Sequence, residues 1–148
     1  MKRESTKKGG GWLFKEEPSH YSFSDLERDG STLWEGVTNN LARQNLRKVR
    51  KGDRVLYYHT GSERAIVGEM RILEDPKPDP ATDDPKAVVV KVEPVQGWPA
   101  PLSLERIKQE PRLKSWDLVR LPRLSIMPVS AEQWRCLEEM SRSQDGIP

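Results

Sequence analysis

Residues 31–60 read STLWEGVTNNLARQNLRKVRKGDRVLYYHT, and the way this stretch divides decides the architecture. Its end, Arg54 to Thr60, alternates with a strand's period of two. Val55, Tyr57 and His59 fall on one face, and Leu56, Tyr58 and Thr60 on the other. Its middle has a helix's period. At about 3.6 residues per turn, Ala42, Leu46 and Val49 share a face, with Arg43, Arg47 and Arg50 in a stripe beside it. Thr38 or Asn39 caps this helix, and Lys51-Gly52-Asp53 turns the chain into the strand. The beginning holds one large aromatic, Trp34, in a Gly- and Asn-rich bend that reads as a loop. Such a ring either plugs a small core from the side or lines a pocket, and the local sequence leaves both open.

Upstream, MKRESTKKGGG is polar and basic and reads as a disordered tail over residues 1–10. GWLFK is a short apolar run expected as a buried strand, and SFSDLERDG a short helix capped by Ser22 or Ser24 and stopped by Gly30. Downstream, RAIVGEMRIL and KAVVVKVEPV are strands rich in β-branched residues. Between them, EDPKPDPATDDPK carries four prolines and five acids and is a solvated loop. LSLERIKQEP reads as a helix from Ser103 to Pro111, LVRLPRLSIMPV as extended, and SAEQWRCLEEM as a helix. Ser130 and Gln133 form a capping box for that helix, with Val129 and Trp134 as a hydrophobic staple. The order β-α-α-β-β-β-α-β-α predicts an α+β fold, a curved, antiparallel-rich sheet or small barrel with peripheral helices. One domain over 11–142 is expected, with a second disordered tail over 143–148.

The chain has 148 residues, 32% of them charged, and a net charge of only +2, so nucleic-acid binding turns on where the charge sits. One cysteine, Cys136, excludes an internal disulfide. No apolar run approaches the ~20 residues of a membrane span. The expectation is a soluble monomer of the cytoplasm, or of the nucleus in a eukaryote.

Phosphate loops, dinucleotide fingerprints and nucleophile elbows are absent. His20 and His59 lie far apart, with no partners at metal-ligand spacing, so neither a metal nor a cofactor is expected. Glu16 and Glu17 form an acid pair beside a strand, where exposed or salt-bridged roles are the common ones. The positive signals are aromatic and basic. Five tryptophans are many for a small domain, and most such rings belong to a core. A basic helix stripe is by default a solvated face. An aromatic loop beside one is the combination that binds nucleic acid by stacking and phosphate contact.

The segments WLFKEEPSHYSFSDL, WEGVTNNLARQNLRKVRKGDRVLYYHT, AIVGEMRI, DPKAVVVKVEPV, PLSLERIK and RLSIMPVSAEQW, in this order and spacing, resemble the EVE domain. That family is a branch of the PUA-like superfamily, related to the YTH RNA readers. The resemblance implies a PUA-like fold and a non-enzymatic reader of a modified base in DNA or RNA, the base flipped into an aromatic cage. Carried onto this chain, it places Trp12, Lys15, Trp34, Asn39, Tyr58, His59, Thr60, Leu124, Ser125 and Pro128 in the pocket. Trp34 would be a wall, with Asn39 and Ser125 reading the base edge. Arg43, Arg47, Arg50 and Arg123 would hold the nucleic-acid backbone. The family pattern carries arginine where this chain has Thr38, and an amide where it has Met127. The other readings are a small-molecule or protein-interaction module using the same pocket, and a nucleic-acid-modifying enzyme using His59 and Glu17.

Overall fold

Strand β1 (Gly11–Glu16) sits between two partners distant in sequence. It runs parallel to β3 (Arg54–His59), with Phe14 opposite Tyr57 and Lys15 opposite Tyr58. On its other side it is antiparallel to β7 (Ile126–Val129), with Leu13 opposite Met127. β4 (Ala65–Ile72) pairs with β3, β6 (Val88–Ser103) with β4, and β2 (Thr32–Trp34) with β6, all antiparallel. A two-residue β5 (Lys77–Pro78) also pairs with β6. The computed structural model describes residues 10–145, and among them the order β2-β6-β4-β3-β1-β7 ends without β2 meeting β7. The sheet therefore curls into a half-barrel. Irregular register after Tyr57, after Ile66 and after Glu69 supplies the added twist.

The crossover that the parallel β1–β3 pair requires is made by the two helices expected between them. Helix α1 (Phe23–Asp29) is closed by a Ser22–Asp25 capping box and by Gly30 at φ 81°. Its Phe23 ring lies over Gly68 and Gly97, which face one another across β4 and β6. A Cβ on Gly68 would stand 2.7 Å from Phe23 Cζ, so the bare backbone there is what lets the helix approach. Helix α2 (Asn40–Lys48) buries Ala42, Asn45 and Leu46, and Asn45 Nδ2 donates to the Ile126 carbonyl at 2.7 Å, tying the helix to β7.

After β6 come α3 (Leu104–Lys108), a 3₁₀ turn (Pro111–Leu113), α4 (Asp117–Arg120) and α5 (Ala131–Asp145). Ser130 and Gln133 close the start of α5 reciprocally, and Trp134 is fully buried beneath the Arg54 guanidinium, 4.0 Å from its ring centroid.

Four expectations change. Trp34 ends a strand rather than sitting in a loop, because Thr32–Trp34 pairs with the edge of β6, opposite Val90 to Val92. The stretch expected as extended before β7 begins as helix α4. β6 runs on through Pro94, Pro99 and Pro101 to Ser103, held by the irregular pairing with β4. The last helix continues to Asp145, into the segment expected as tail. The expected basic tail falls on residues 1–9, outside those described, while Gly10 is buried.

Candidate nucleic-acid interface

The residues named as one cage divide between the two faces of β1 and β3. On one face, Phe14, Trp34 and Tyr57 make a continuous aromatic run, with Phe23 and His59 each packed on Tyr57 and contacting ring centroids 5.3 to 5.5 Å apart. Trp34 is 6% exposed and meets Phe14 at a tilt and Tyr57 edge-on, so most of its surface is core. Its outer edge reaches a recess of 200 Å³ shared with Glu16, His20, Tyr21, Thr32, Leu33 and Glu35. Trp12 is buried on the same face as Phe14, and its Nε1–H donates to Asp53 Oδ2 at 3.0 Å.

His59 is hydrogen-bonded through both nitrogens. The Phe23 backbone N–H donates to Nε2 at 3.0 Å, which fixes Nε2 as the acceptor and leaves Nδ1–H to donate to Glu63 at 2.8 Å. Neither nitrogen is left for a substrate proton. Glu17 accepts from Thr60 and Ser19, and Glu16 pairs with His20. Among the described residues, no three His, Cys, Asp or Glu side chains converge as a metal site.

The opposite face carries Lys15, Tyr58 and Thr60, and these do share a recess, of 260 Å³. Tyr58 comes from β3, Lys15 from β1, and Thr60, Gly61 and Arg64 from the β3–β4 turn; Leu104 and Lys108 of α3 and Leu118, Val119 and Pro122 of the α4 region complete the wall. The Lys15 ammonium lies 5.5 Å from the Tyr58 ring centroid and donates to the Pro122 carbonyl at 2.9 Å. Burial holds its pKa below the ordinary lysine value. Tyr58 is 2% exposed, and burial raises its phenol pKa against the opposing charge of Arg64, so it stays a neutral donor. Its hydroxyl makes no hydrogen bond with the described residues. The recess thus offers apolar walls, one phenol, two ammoniums, one guanidinium and one threonine hydroxyl.

The remaining named residues do not line the recess. Asn39 is exposed, and its Oδ1 accepts the Ala42 N–H at 2.9 Å as the cap of α2. Leu124 is buried, the Ser125 carbonyl accepts the Lys15 N–H at 2.9 Å, and the Pro128 carbonyl accepts Trp116 Nε1–H at 3.0 Å. Met127 is fully buried opposite Leu13, so the apolar side chain there belongs to the core.

The arginine stripe is spoken for from within. Arg43 donates to the Val37 carbonyl and pairs with Asp84 at 3.0 Å, and Arg47 donates to the Lys86 carbonyl. Arg50 donates to the carbonyls of Arg47 and Val49. The acidic loop between β4 and β6 thus neutralises one of the three, Arg43, through Asp84. Arg123 is exposed. Arg64, Leu104, Lys108, Leu118, Val119 and Pro122 were not anticipated, and no short-range pattern marks them. They meet Tyr58 only through the tertiary fold.

A curled mixed sheet with peripheral helices and a small recess where the ends of β1 and β3 meet α3 and α4 is a PUA-like architecture. The chain belongs to the EVE domain family, whose profile matches residues 11–140. It is similar to mouse thymocyte nuclear protein 1, 29% identical over 90% of this chain and 77% of that protein. A protein of Rhodopseudomonas palustris superposes with a TM-score of 0.85 at 35% identity, covering 90% of this chain and 93% of that one. The human THYN1 protein, solved in complex with 5-methylcytosine-containing DNA, superposes with a TM-score of 0.82 at 26% identity, covering 89% of this chain and 97% of that one.

Proposed function

We propose that this protein is a non-enzymatic reader that binds nucleic acid and holds one modified base, flipped from its strand, in the Tyr58 recess. The observation that carries the reading is the recess itself, in a chain whose human relative was solved with methylated DNA. It is 260 Å³, apolar along Leu118, Val119 and Pro122, and donor-lined by Lys15 and Tyr58. That volume suits one planar ring rather than a drug-sized ligand. Trp34 supports the site from the far side, since its ring packs on Phe14 and Tyr57, the neighbours in sequence of Lys15 and Tyr58.

The energetics set what the recess must do. Flipping a base costs a few kcal/mol from a duplex and less from a single strand. Contact with one aromatic returns about 1–3 kcal/mol. One added methyl contributes about 0.8 kcal/mol, roughly a fourfold preference. Phosphate contacts must therefore supply the remaining affinity, and the donors of Lys15 and Tyr58 must sharpen the choice of base. The reader acts as a monomer, in the cytoplasm or, in a eukaryote, the nucleus.

The test is fluorescence anisotropy with oligonucleotides carrying unmodified and modified cytosine or adenine, at two salt concentrations. Wild type should prefer one modification. Tyr58→Phe should reduce that preference, and Val119→Trp, which fills the recess, should abolish it. The reading fails if no oligonucleotide binds or if both variants keep the preference. Turnover of a modified nucleoside, followed by mass spectrometry, would overturn the non-enzymatic part.

A further inference from the structure

Arg64 stands between two recesses. One is the Tyr58 recess. The other, of 380 Å³, lies between the β3–β4 turn and the start of α3, and Arg64, Leu104 and Lys108 line both. Arg64 is also the one non-glycine residue among those described with a positive φ, at 43°. Glycine adopts that conformation freely, while a residue bearing a Cβ is strained in it. Strain of this kind persists where the surrounding structure over-determines it and clusters at binding sites. The Arg64 backbone is indeed fixed, since its carbonyl accepts the Leu104 N–H at 2.8 Å.

The side chain explains why glycine is not used. The Arg64 guanidinium is exposed and makes no hydrogen bond or ion pair with the described residues, and the same holds for the Lys108 ammonium. Arg28, Arg43, Arg71 and Arg112 each hold a carboxylate instead. Of the acids nearby, Glu63 is turned to His59, and Glu105 lies on the second recess. The lip shared by the two recesses is thus cationic and uncommitted, at the mouth of the proposed base seat.

We propose that Arg64 and Lys108 grip the phosphate adjoining the flipped base, so that the strand crosses the lip between the two recesses and not the arginine-bearing helix α2. The proposal rests on the base-reading role of the Tyr58 recess. A guanidinium can hold a phosphate through two donors at once, and such a contact is sequence-independent.

The experiment measures affinity for a single-stranded oligonucleotide, with and without the preferred modification, between about 50 and 200 mM salt. Arg64→Gly should keep or raise the melting temperature, because the strain is removed. It should lower affinity about fivefold and make the slope of log affinity against log salt shallower by about 0.7, the loss of one single-strand phosphate contact. Lys108→Ala should act in the same direction, and both should keep the preference for the modified base. Arg43→Ala with Arg47→Ala should leave the slope unchanged. An unchanged slope in both Arg64→Gly and Lys108→Ala, with base preference intact, overturns the clamp and leaves the reader standing. A shallower slope in a protein that shows no base preference supports the clamp and overturns the reader. Absence of any binding by wild type overturns both.

Discussion

Replacing Trp34 with alanine separates core from cage. The ring is 6% exposed, its centroid 5.3 Å from that of Phe14 and 5.4 Å from that of Tyr57. Collapse into the vacated space is hindered. Tyr57 is anchored by its hydroxyl on the Tyr21 carbonyl at 2.5 Å, and Trp34 itself is held by strand pairing opposite Val90. Aromatic-to-alanine changes at such sites cost about 3–5 kcal/mol, a large part of the ~5–15 kcal/mol that holds a domain folded. At 2–4 °C per kcal/mol for a chain of this size, the melting temperature should fall by about 6–20 °C. Urea unfolding followed by far-ultraviolet circular dichroism should show a lower midpoint with an unchanged slope. At a temperature where the variant stays folded, binding of a modified oligonucleotide should remain close to wild type. A loss below about 1 kcal/mol together with abolished binding would refute this reasoning. It would put the base in the recess beside Glu16, His20 and Tyr21.

Two further predictions use other parts of the sheet. Gly68→Ala would place a methyl 2.7 to 2.9 Å from three carbons of the Phe23 ring, so it should cost about 1–3 kcal/mol by overpacking, measured by the same unfolding assay. Lys15→Met should stabilise the protein at neutral pH while weakening oligonucleotide binding. The folded-state pKa of Lys15 lies below 10.5, so the cost of burying its charge is fully present at neutral pH. That cost disappears as pH rises through the lowered pKa toward 10.5, and the melting-temperature advantage of the variant should shrink over the same window.

Local rules carried most of the fold. The alternation of Val55 to Thr60 places Tyr57 and His59 opposite Tyr58 and Thr60, and the structure keeps that division. A single cage holding both His59 and Tyr58 was therefore at odds with the strand's own period. The caps at Ser22, Asn39, Ser103 and Ser130 all form, because each needs only residues two or three positions away. β2 escaped notice because three residues are too few to show a period, and its pairing with β6 is decided by a strand some sixty positions later. The arginine stripe was visible, but its engagement by Asp84 and the Lys86 carbonyl depends on how the proline-rich loop folds back. The recess was the least legible feature, since Tyr58 and Pro122 come together only after the sheet has curled.

The position of β1 has a consequence for how the chain is made. Gly11–Glu16 leaves the ribosome before the other strands of the sheet, whereas Ile126–Val129, its neighbour on one side, is the last of them to emerge. Until then Trp12, Leu13 and Phe14 lie along an open strand edge, a template for pairing with other chains. The Lys15–Pro122 hydrogen bond, which spans 107 residues, can form only after Pro122 has emerged. Contacts of such long range slow folding. A ribosome stalled before Ile126 would thus hold a polypeptide with its adhesive edge bare and its ligand seat unbuilt.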